Sequence, residues 1–296
     1  MRTLVLLIMS VLGLNLTAQT FQVGKRACVL YDQERGKRRI TADIYYPSLS
    51  EGSNVSIDTS SCAFPLICFG HGFVMNVSSY SNIWQTLVPA GFIVAFPKTE
   101  TGIAPSHLAL AKDISFVISY LQKESNTPGC FFYHRIASTS CAMGHSMGAG
   151  SALLAASFNK DISSLVLLAP AETRPSAIKA SESIKVPSIV FSGTNDCVTP
   201  PSKHHLPIFE ALKGSNKLFI SIIGGNHCNM ADDNRLCDLA EATCKNDFQI
   251  SRNEQQAIIN RYLLPWLRCY LKGDKDIWPE TEKQLAVDKE INCINP

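Results

Sequence analysis

The chain has 296 residues, with 27 Lys+Arg against 25 Asp+Glu and a formal charge of +2. That balance, with no basic cluster longer than Lys37-Arg38-Arg39, argues against a nucleic-acid partner, and the length suits one large domain better than two small ones. Eleven cysteines are too many for an ordinary cytosolic enzyme and point to a compartment where disulfides persist.

Residues 1–18 combine an early Arg2, an apolar run from about Leu4 to Leu14 and a small residue at Ala18. They read as a leader cleaved near Ala18, with 19–296 left as one exported catalytic domain, extracellular or periplasmic. The run is too short to span a bilayer, which needs roughly 20 residues, so no stable membrane insertion is expected. Two strands near 27–31 and 39–46 are joined by the polar turn 32–37 as an edge hairpin, in which the basic run is a solvated turn. A Ser- and Gly-rich loop follows to about Ser61. Runs at 65–69, 92–96, 136–142, 165–169, 188–191 and 218–223 are short and rich in β-branched and aromatic residues, as central strands buried on both faces are. Amphipathic stretches at 81–90, 107–121, 148–157 and 203–212 alternate with them, which predicts an α/β fold with a mostly parallel sheet and helices on both faces. The last helix starts at a Ser251/Glu254 capping box, and Pro265 should kink it. The odd cysteine count leaves at least one thiol unpaired; Cys68 and Cys141, inside apolar runs, are the best candidates for plain buried thiols.

Gly144-His145-Ser146-Met147-Gly148 lies between an apolar strand and a small-residue helix. It is a G-x-S-x-G nucleophile elbow in the strand–turn–helix context the motif requires. A serine hydroxyl is a weak nucleophile until a base removes its proton, so the elbow predicts an acid and then a histidine further along the chain. Asp196 follows the run 188–191 and His227 follows 218–223, both at carboxyl ends of strands, where such a fold places its site. Asp196 as a helix cap and His227 as a turn histidine are the structural alternatives. His145 lies inside the elbow and is read as lining the pocket; His71 belongs to another loop. Asp232 and Asp233 come after the histidine, in the wrong order. Of the two donors an oxyanion needs, one is the Met147 amide. The other is assigned to Phe73 in Phe69-Gly70-His71-Gly72-Phe73, with Gly72 or His71 as fallback. No C-x-x-C or H-x-x-x-H spacing occurs, and His204 and His205 would point apart on a helix, so no metal or cofactor is implied.

With these motifs, the acid loop GTNDCVTPP and the histidine loop GGNHC, the chain resembles the α/β-hydrolase superfamily over nearly all its mature length. Within it, the chain looks most like cutinase-like polyester hydrolases and chlorophyllase- and dienelactone-hydrolase-like esterases. The resemblance implies an α/β-hydrolase fold and ester cleavage with Ser146 as nucleophile, His227 as base and Asp196 as orienting acid. In polyester hydrolases a tryptophan commonly follows the Ala-Pro after the sixth strand and stacks on aromatic substrate; here Ala171 stands there. The short stretch between Pro170 and Val186 leaves no room for a large lid, so the expected partner is a soluble short-chain or polymer-surface ester, bound at the Ala171, His71 and His145 wall of an open site on a monomer. Lactone or amide hydrolysis, acyl transfer, and a non-catalytic binding scaffold are the competing readings.

Because Asp196 and His227 must meet, their neighbours Cys197 and Cys228 start from adjacent loops, and a similar bridge is familiar in the polyester hydrolases. A Cys197–Cys228 disulfide is therefore expected, against a local pairing of Cys228 with Cys237 or Cys244.

Overall fold

The computed structural model describes residues 20–244 and 248–294; the leader expected over 1–18 lies outside them. Ten strands form one sheet: β1 (Gln22–Asp32), β2 (Arg38–Ser48), β3 (Gly52–Ser53), β4 (Phe64–Gly70), β5 (Ile93–Pro97), β6 (Ile136–His145), β7 (Ser164–Leu168), β8 (Ser188–Gly193), β9 (Lys217–Ile222) and β10 (Ile291–Ile294). The helices are α1 (Ser81–Leu87), α2 (His107–Ser125), α3 (Met147–Phe158), α4 (Ala177–Ser181), α5 (His205–Ala211), α6 (Arg235–Glu241), α7 (Arg252–Lys272) and α8 (Trp278–Val287).

The strand order is β10-β9-β8-β7-β6-β4-β5-β2-β1-β3. From β5 through β4 and β6 to β9 every pairing is parallel, whereas β2, β1 and β10 join antiparallel. Six parallel strands with helical crossovers make the α/β-hydrolase sheet. The sequence reading lacked β3, α4, α6, α8 and the edge strand β10, which are short or carry weak periodicity.

Alternate residues of each central strand face opposite ways, and here both faces are dry. Leu66, Cys68, Ala142, Leu165 and Val190 pack with α2, α3 and α5 in one apolar cluster. Ile67, Phe69, Cys141, Val166 and Ile189 pack with α1, α7 and α8 in the other. Cys68 and Cys141 are free and fully buried, as read from their apolar runs. Helix α7 begins with the expected capping box, Glu254 N–H donating to Ser251 Oγ at 3.2 Å and Ser251 N–H to Glu254 Oε2 at 2.7 Å, and it continues through Pro265. The buried Trp266 donates its Nε1–H to Ser164 Oγ at 3.1 Å, tying that helix to β7.

In the basic run, Lys37 and Arg39 are exposed as a solvated turn would have them, but Arg38 is not. Arg38 grips the fully buried Asp113 of α2 at 2.8 and 2.7 Å and also donates to Glu100 at 2.8 Å, and Arg35 joins Asp113 at 2.7 Å. These ion pairs, on a carboxylate with no exposed side chain, tie the hairpin to α2.

Candidate active site

Ser146 stands between β6 and α3 with φ 57° and ψ −122°, a conformation that costs free energy unless its surroundings enforce it. They do: Ser146 N–H donates to Leu168 O at 2.9 Å, and Ser146 O accepts from Ala149, Gly150 and Ala171. The turn closes only because its flanks lack side chains. A Cβ on Gly144 would overlap the Gly148 carbonyl group, and one on Gly148 would overlap the Gly70 carbonyl. Among the described residues the Ser146 hydroxyl has no hydrogen-bond partner, and neither the Met147 nor the Phe73 amide donates to a protein acceptor.

Asp196 and His227 are brought together, His227 Nδ1–H donating to Asp196 Oδ2 at 2.7 Å. Both are buried. The loops carrying them touch along their backbones: Asn195 N–H reaches Gly225 O at 2.8 Å and Thr194 N–H reaches Ile222 O at 3.0 Å. A Cβ at Gly193 would strike the Gly225 carbonyl, so this approach also requires glycine. Burial pushes the Asp196 carboxyl up, but the hydrogen bond and charge of His227, with help from His205 and the Thr199 amide, hold it below its ordinary value. It is therefore an anion at neutral pH. His227 keeps its Nε2 free of protein partners among the described residues, and its ring lies 4.7 Å from that of His145, the residue beside Ser146.

The backbone of the histidine loop hangs on side chains of two later helices. Glu241 of α6 accepts from His227 N–H at 2.6 Å and from Cys228 N–H at 3.1 Å. Gln255 of α7 clasps Asn226, accepting from its N–H and donating to its carbonyl, each at 2.8 Å. Burial raises the Glu241 carboxyl, an effect the two amides oppose.

The disulfide expectation is corrected. Cys197 pairs with Cys244 and Cys228 with Cys237; no Cys197–Cys228 bridge forms. The acid and base loops are already joined by main-chain hydrogen bonds, and each is instead sewn separately to the segment around α6.

Three further site expectations change. His145 does not line a pocket: it is wholly buried, and both ring nitrogens are engaged. Burial first, then the neighbouring His227, pushes its pKa far down, so it is neutral. Facing the His227 carbonyl at 3.2 Å, its Nε2 must carry the proton, and Nδ1 accepts from Tyr80 Oη at 3.0 Å. Tyr80 in turn accepts from Gly72 N–H at 2.7 Å. That bond removes Gly72 as an oxyanion donor. His71 is buried, with its ring nitrogens 2.8 Å from Gly72 O and 2.7 Å from Thr99 O, on the wall of a cavity of about 360 Å³ that neither Ser146 nor His227 reaches. Ala171 is half-buried beside the elbow, in a loop whose Glu172 N–H donates to His204 Nδ1 and whose Arg174 N–H donates to His107 Nδ1, both at 2.9 Å. Phe73 is 54% exposed at the rim.

Sequence reasoning missed Tyr80, Thr199, His205, Glu241 and Gln255. Only Thr199 carried a signal: Asp196-Cys197-Val198-Thr199 is a D-x-x-T spacing, and Asp196 Oδ1 accepts the Thr199 N–H at 2.7 Å. Among the described residues, no helix is long and apolar enough to cross a membrane.

Residues 41–277 match the family described as PETase: PET hydrolase-like. The chain is similar to the Bis(hydroxyethyl) terephthalate hydrolase of Streptomyces coelicolor, 23% identical over 78% of this chain and 62% of that protein. It is 21% identical to Cutinase 2 of Thermobifida cellulosilytica over 75% of this chain and 74% of the relative. A third relative, Cutinase est1 of Thermobifida alba, is 23% identical over 60% of this chain and 57% of its own length.

Proposed function

Since the chain belongs to the PET hydrolase-like family, we propose that it is a secreted serine hydrolase that cleaves carboxylic esters through an acyl-enzyme on Ser146. The observation that carries this reading is the 2.7 Å His227–Asp196 hydrogen bond, with the His227 ring 4.7 Å from that of His145, the chain neighbour of an elbow serine whose hydroxyl has no protein partner among the described residues. His227 Nε2 takes the Ser146 proton as Oγ adds to the ester carbonyl. The Met147 and Phe73 amides receive the developing oxyanion, with the N-terminal end of α3 adding its positive dipole. His227 then gives its proton to the departing alkoxide, and a water repeats the sequence in reverse to free the acid. Asp196 remains a carboxylate throughout and stabilises the transient imidazolium.

Short-chain and polymer-surface esters fit this site best. The stretch between β7 and β8 carries only the five-residue α4, too little to fold over the serine as a lid. Ala171 offers no aromatic face for stacking, which sets this cleft apart from one shaped for terephthalate rings. Cleavage of a leader near Ala18 would place the 19–296 domain outside the cell, where its two disulfides persist.

A panel of p-nitrophenyl esters from acetate upward tests the reading. We expect the short esters to turn over, Ser146→Ala to lose at least three orders of magnitude in kcat, and a phosphonate probe to mark Ser146 alone. Labelling of another serine would overturn the assignment.

A further inference from the structure

Behind Asp196 lies a second set of polar side chains that the chemistry above does not use. Thr199, Ser192 and His205 are all buried. Thr199 Oγ1 is 3.0 Å from Asp196 Oδ2, 2.9 Å from His227 Nδ1 and 2.9 Å from His205 Nε2. His205 Nδ1 is 2.8 Å from Ser192 Oγ. His205 itself stands 3.6 Å from Asp196 Oδ2, too far for a hydrogen bond, so it reaches the carboxylate only through Thr199.

We propose that Ser192, His205 and Thr199 form a directed relay of hydrogen bonds that holds Asp196 in line with His227, making Thr199 and His205 positioning residues for ester hydrolysis. The inference rests on the reading of Asp196 as the orienting acid.

The direction follows from counting protons. Thr199 has one hydroxyl hydrogen and two oxygen acceptors in range, the Asp196 carboxylate at 3.0 Å and the Ala169 carbonyl at 3.4 Å. The shorter, charged acceptor takes it. Having spent its hydrogen there, Thr199 Oγ1 can only accept from His205, so His205 Nε2 carries the proton. His205 Nδ1 is then bare and accepts from Ser192. This arrangement requires a neutral ring, and burial pushes His205 down to about 3 even against the pull of Asp196.

Each Asp196 oxygen is thereby held. Oδ1 takes the Thr199 amide, and Oδ2 takes the Thr199 hydroxyl and His227 Nδ1–H. Without the hydroxyl, Oδ2 would keep one donor where it now has two, and the carboxylate could swing about its Cβ–Cγ bond. A carboxylate with fewer donors also attracts a proton on His227 more strongly, so the base would be blocked to higher pH. The other titratable groups around this corner are His204 at the start of α5, His145 at the end of β6 and Glu241 of α6, all electrostatically coupled to Asp196 or His227.

Kinetics of Thr199→Val, Thr199→Ser, His205→Phe and the Thr199→Val/His205→Phe double variant test the relay, with p-nitrophenyl butyrate as probe across pH 5 to 9. We expect Thr199→Val to lose about tenfold in kcat with KM unchanged and the acid limb of the profile moved to higher pH. Thr199→Ser should restore both, and the double variant should match Thr199→Val, because His205 acts through Thr199. Wild-type kcat and profile in Thr199→Val, or losses that multiply in the double variant, would overturn the relay. Ring nitrogen NMR of the unmodified enzyme needs no variant to fold: His205 must be a neutral Nε2–H tautomer from pH 5 to 8, and an Nδ1–H tautomer would refute the direction proposed. Phosphonate labelling of a serine other than Ser146 would instead remove the underlying site assignment.

Discussion

At the elbow, Ser146 is fixed by main chain packed against main chain: Gly70, Gly144 and Gly148 bring β4, β6 and α3 so close that no Cβ fits between them. Across the cleft, His227 hangs from side chains that arrive from far along the sequence, Asp196, Glu241 and Gln255, with two disulfides fastening its surroundings to the α6 segment. The first arrangement cannot be adjusted in small steps, since it has no soft degrees of freedom. The second is built of many separable contacts, each contributing a little. The strained backbone conformation of Ser146 is one that only dense packing enforces. In the proposed role of base, His227 would have to stay aligned while it gains and loses a proton, and a web of hydrogen bonds suits that task.

The largest effect should come from the rigid side. Gly148→Ala would drive a methyl group into the Gly70 carbonyl, with backbone on both sides and no flexible side chain able to yield. We expect a loss of about 3 kcal/mol of stability, the upper end of overpacking costs, and essentially no esterase activity, measurable by urea unfolding and p-nitrophenyl butyrate turnover. A Gly148→Ala enzyme with wild-type midpoint and rate would erase the contrast between the two sides.

The strapped side should fail in parts. In the chain-entropy treatment, closing 47 and 9 residues contributes about 4 and about 2.6 kcal/mol respectively. Mild reduction should therefore release the acid and base loops while the sheet, which contains no disulfide, stays folded. Activity should disappear at a lower temperature than far-ultraviolet dichroism, and the gap should narrow in oxidised enzyme. Coincident loss of both signals in reduced protein would show that these straps stabilise the whole fold. Non-reducing peptide maps should yield Cys197 joined to Cys244 and Cys228 joined to Cys237.

The effect that is smallest near neutral pH, and grows only in acid, is in the dependence of stability on pH. His205 and His145 have folded pKa values pushed down by burial, His205 to about 3. Below about pH 6.5, the ordinary histidine value, the unfolded chain binds protons that the folded chain refuses, so stability is lost as pH falls and is fully present above that value. Each such histidine contributes a slope of up to about 1.4 kcal/mol per pH unit. His205→Phe should flatten the unfolding free energy between pH 6 and 4 by about one proton relative to wild type. An unchanged slope would mean that His205 protonates freely in the folded state.

How much of the site could be read in advance follows the same division. The G-x-S-x-G turn is legible locally, because five consecutive residues between an apolar strand and a small-residue helix mark a tight turn at the serine, although the strained conformation itself is held by Leu168, Ala171 and Gly70 from elsewhere in the fold. That Asp196 and His227 meet, at 2.7 Å, was legible because both follow strand ends, where such a sheet gathers its polar loops. The Cys197–Cys228 pairing was a different kind of inference. Adjacency of two loops does not fix which way their neighbouring side chains point, and each cysteine meets a different partner, Cys237 on α6 for Cys228 and Cys244 just beyond α6 for Cys197. His145 shows the same limit. Beside the serine in sequence, it turns inward because Tyr80, 65 positions earlier, and the His227 carbonyl, 82 positions later, offer it partners there.

By itself, then, the sequence determined what depends on neighbouring residues: the alternation of buried strands and helices, the elbow, the capping box of α7 and the apolar burial of Cys68 and Cys141. Each is set by steric and hydrophobic preferences acting over a few residues. Only the tertiary structure decided which cysteines meet, that Gly72 gives its amide to Tyr80, that Glu241 carries the backbone of the histidine loop, and that His205 stands behind Asp196. Those outcomes depend on how turns and loops fall against one another, across 8 positions for Gly72 and Tyr80, 14 for His227 and Glu241 and 47 for Cys197 and Cys244, and each is decided by which partner the folded chain brings within reach, which no periodic or motif pattern encodes.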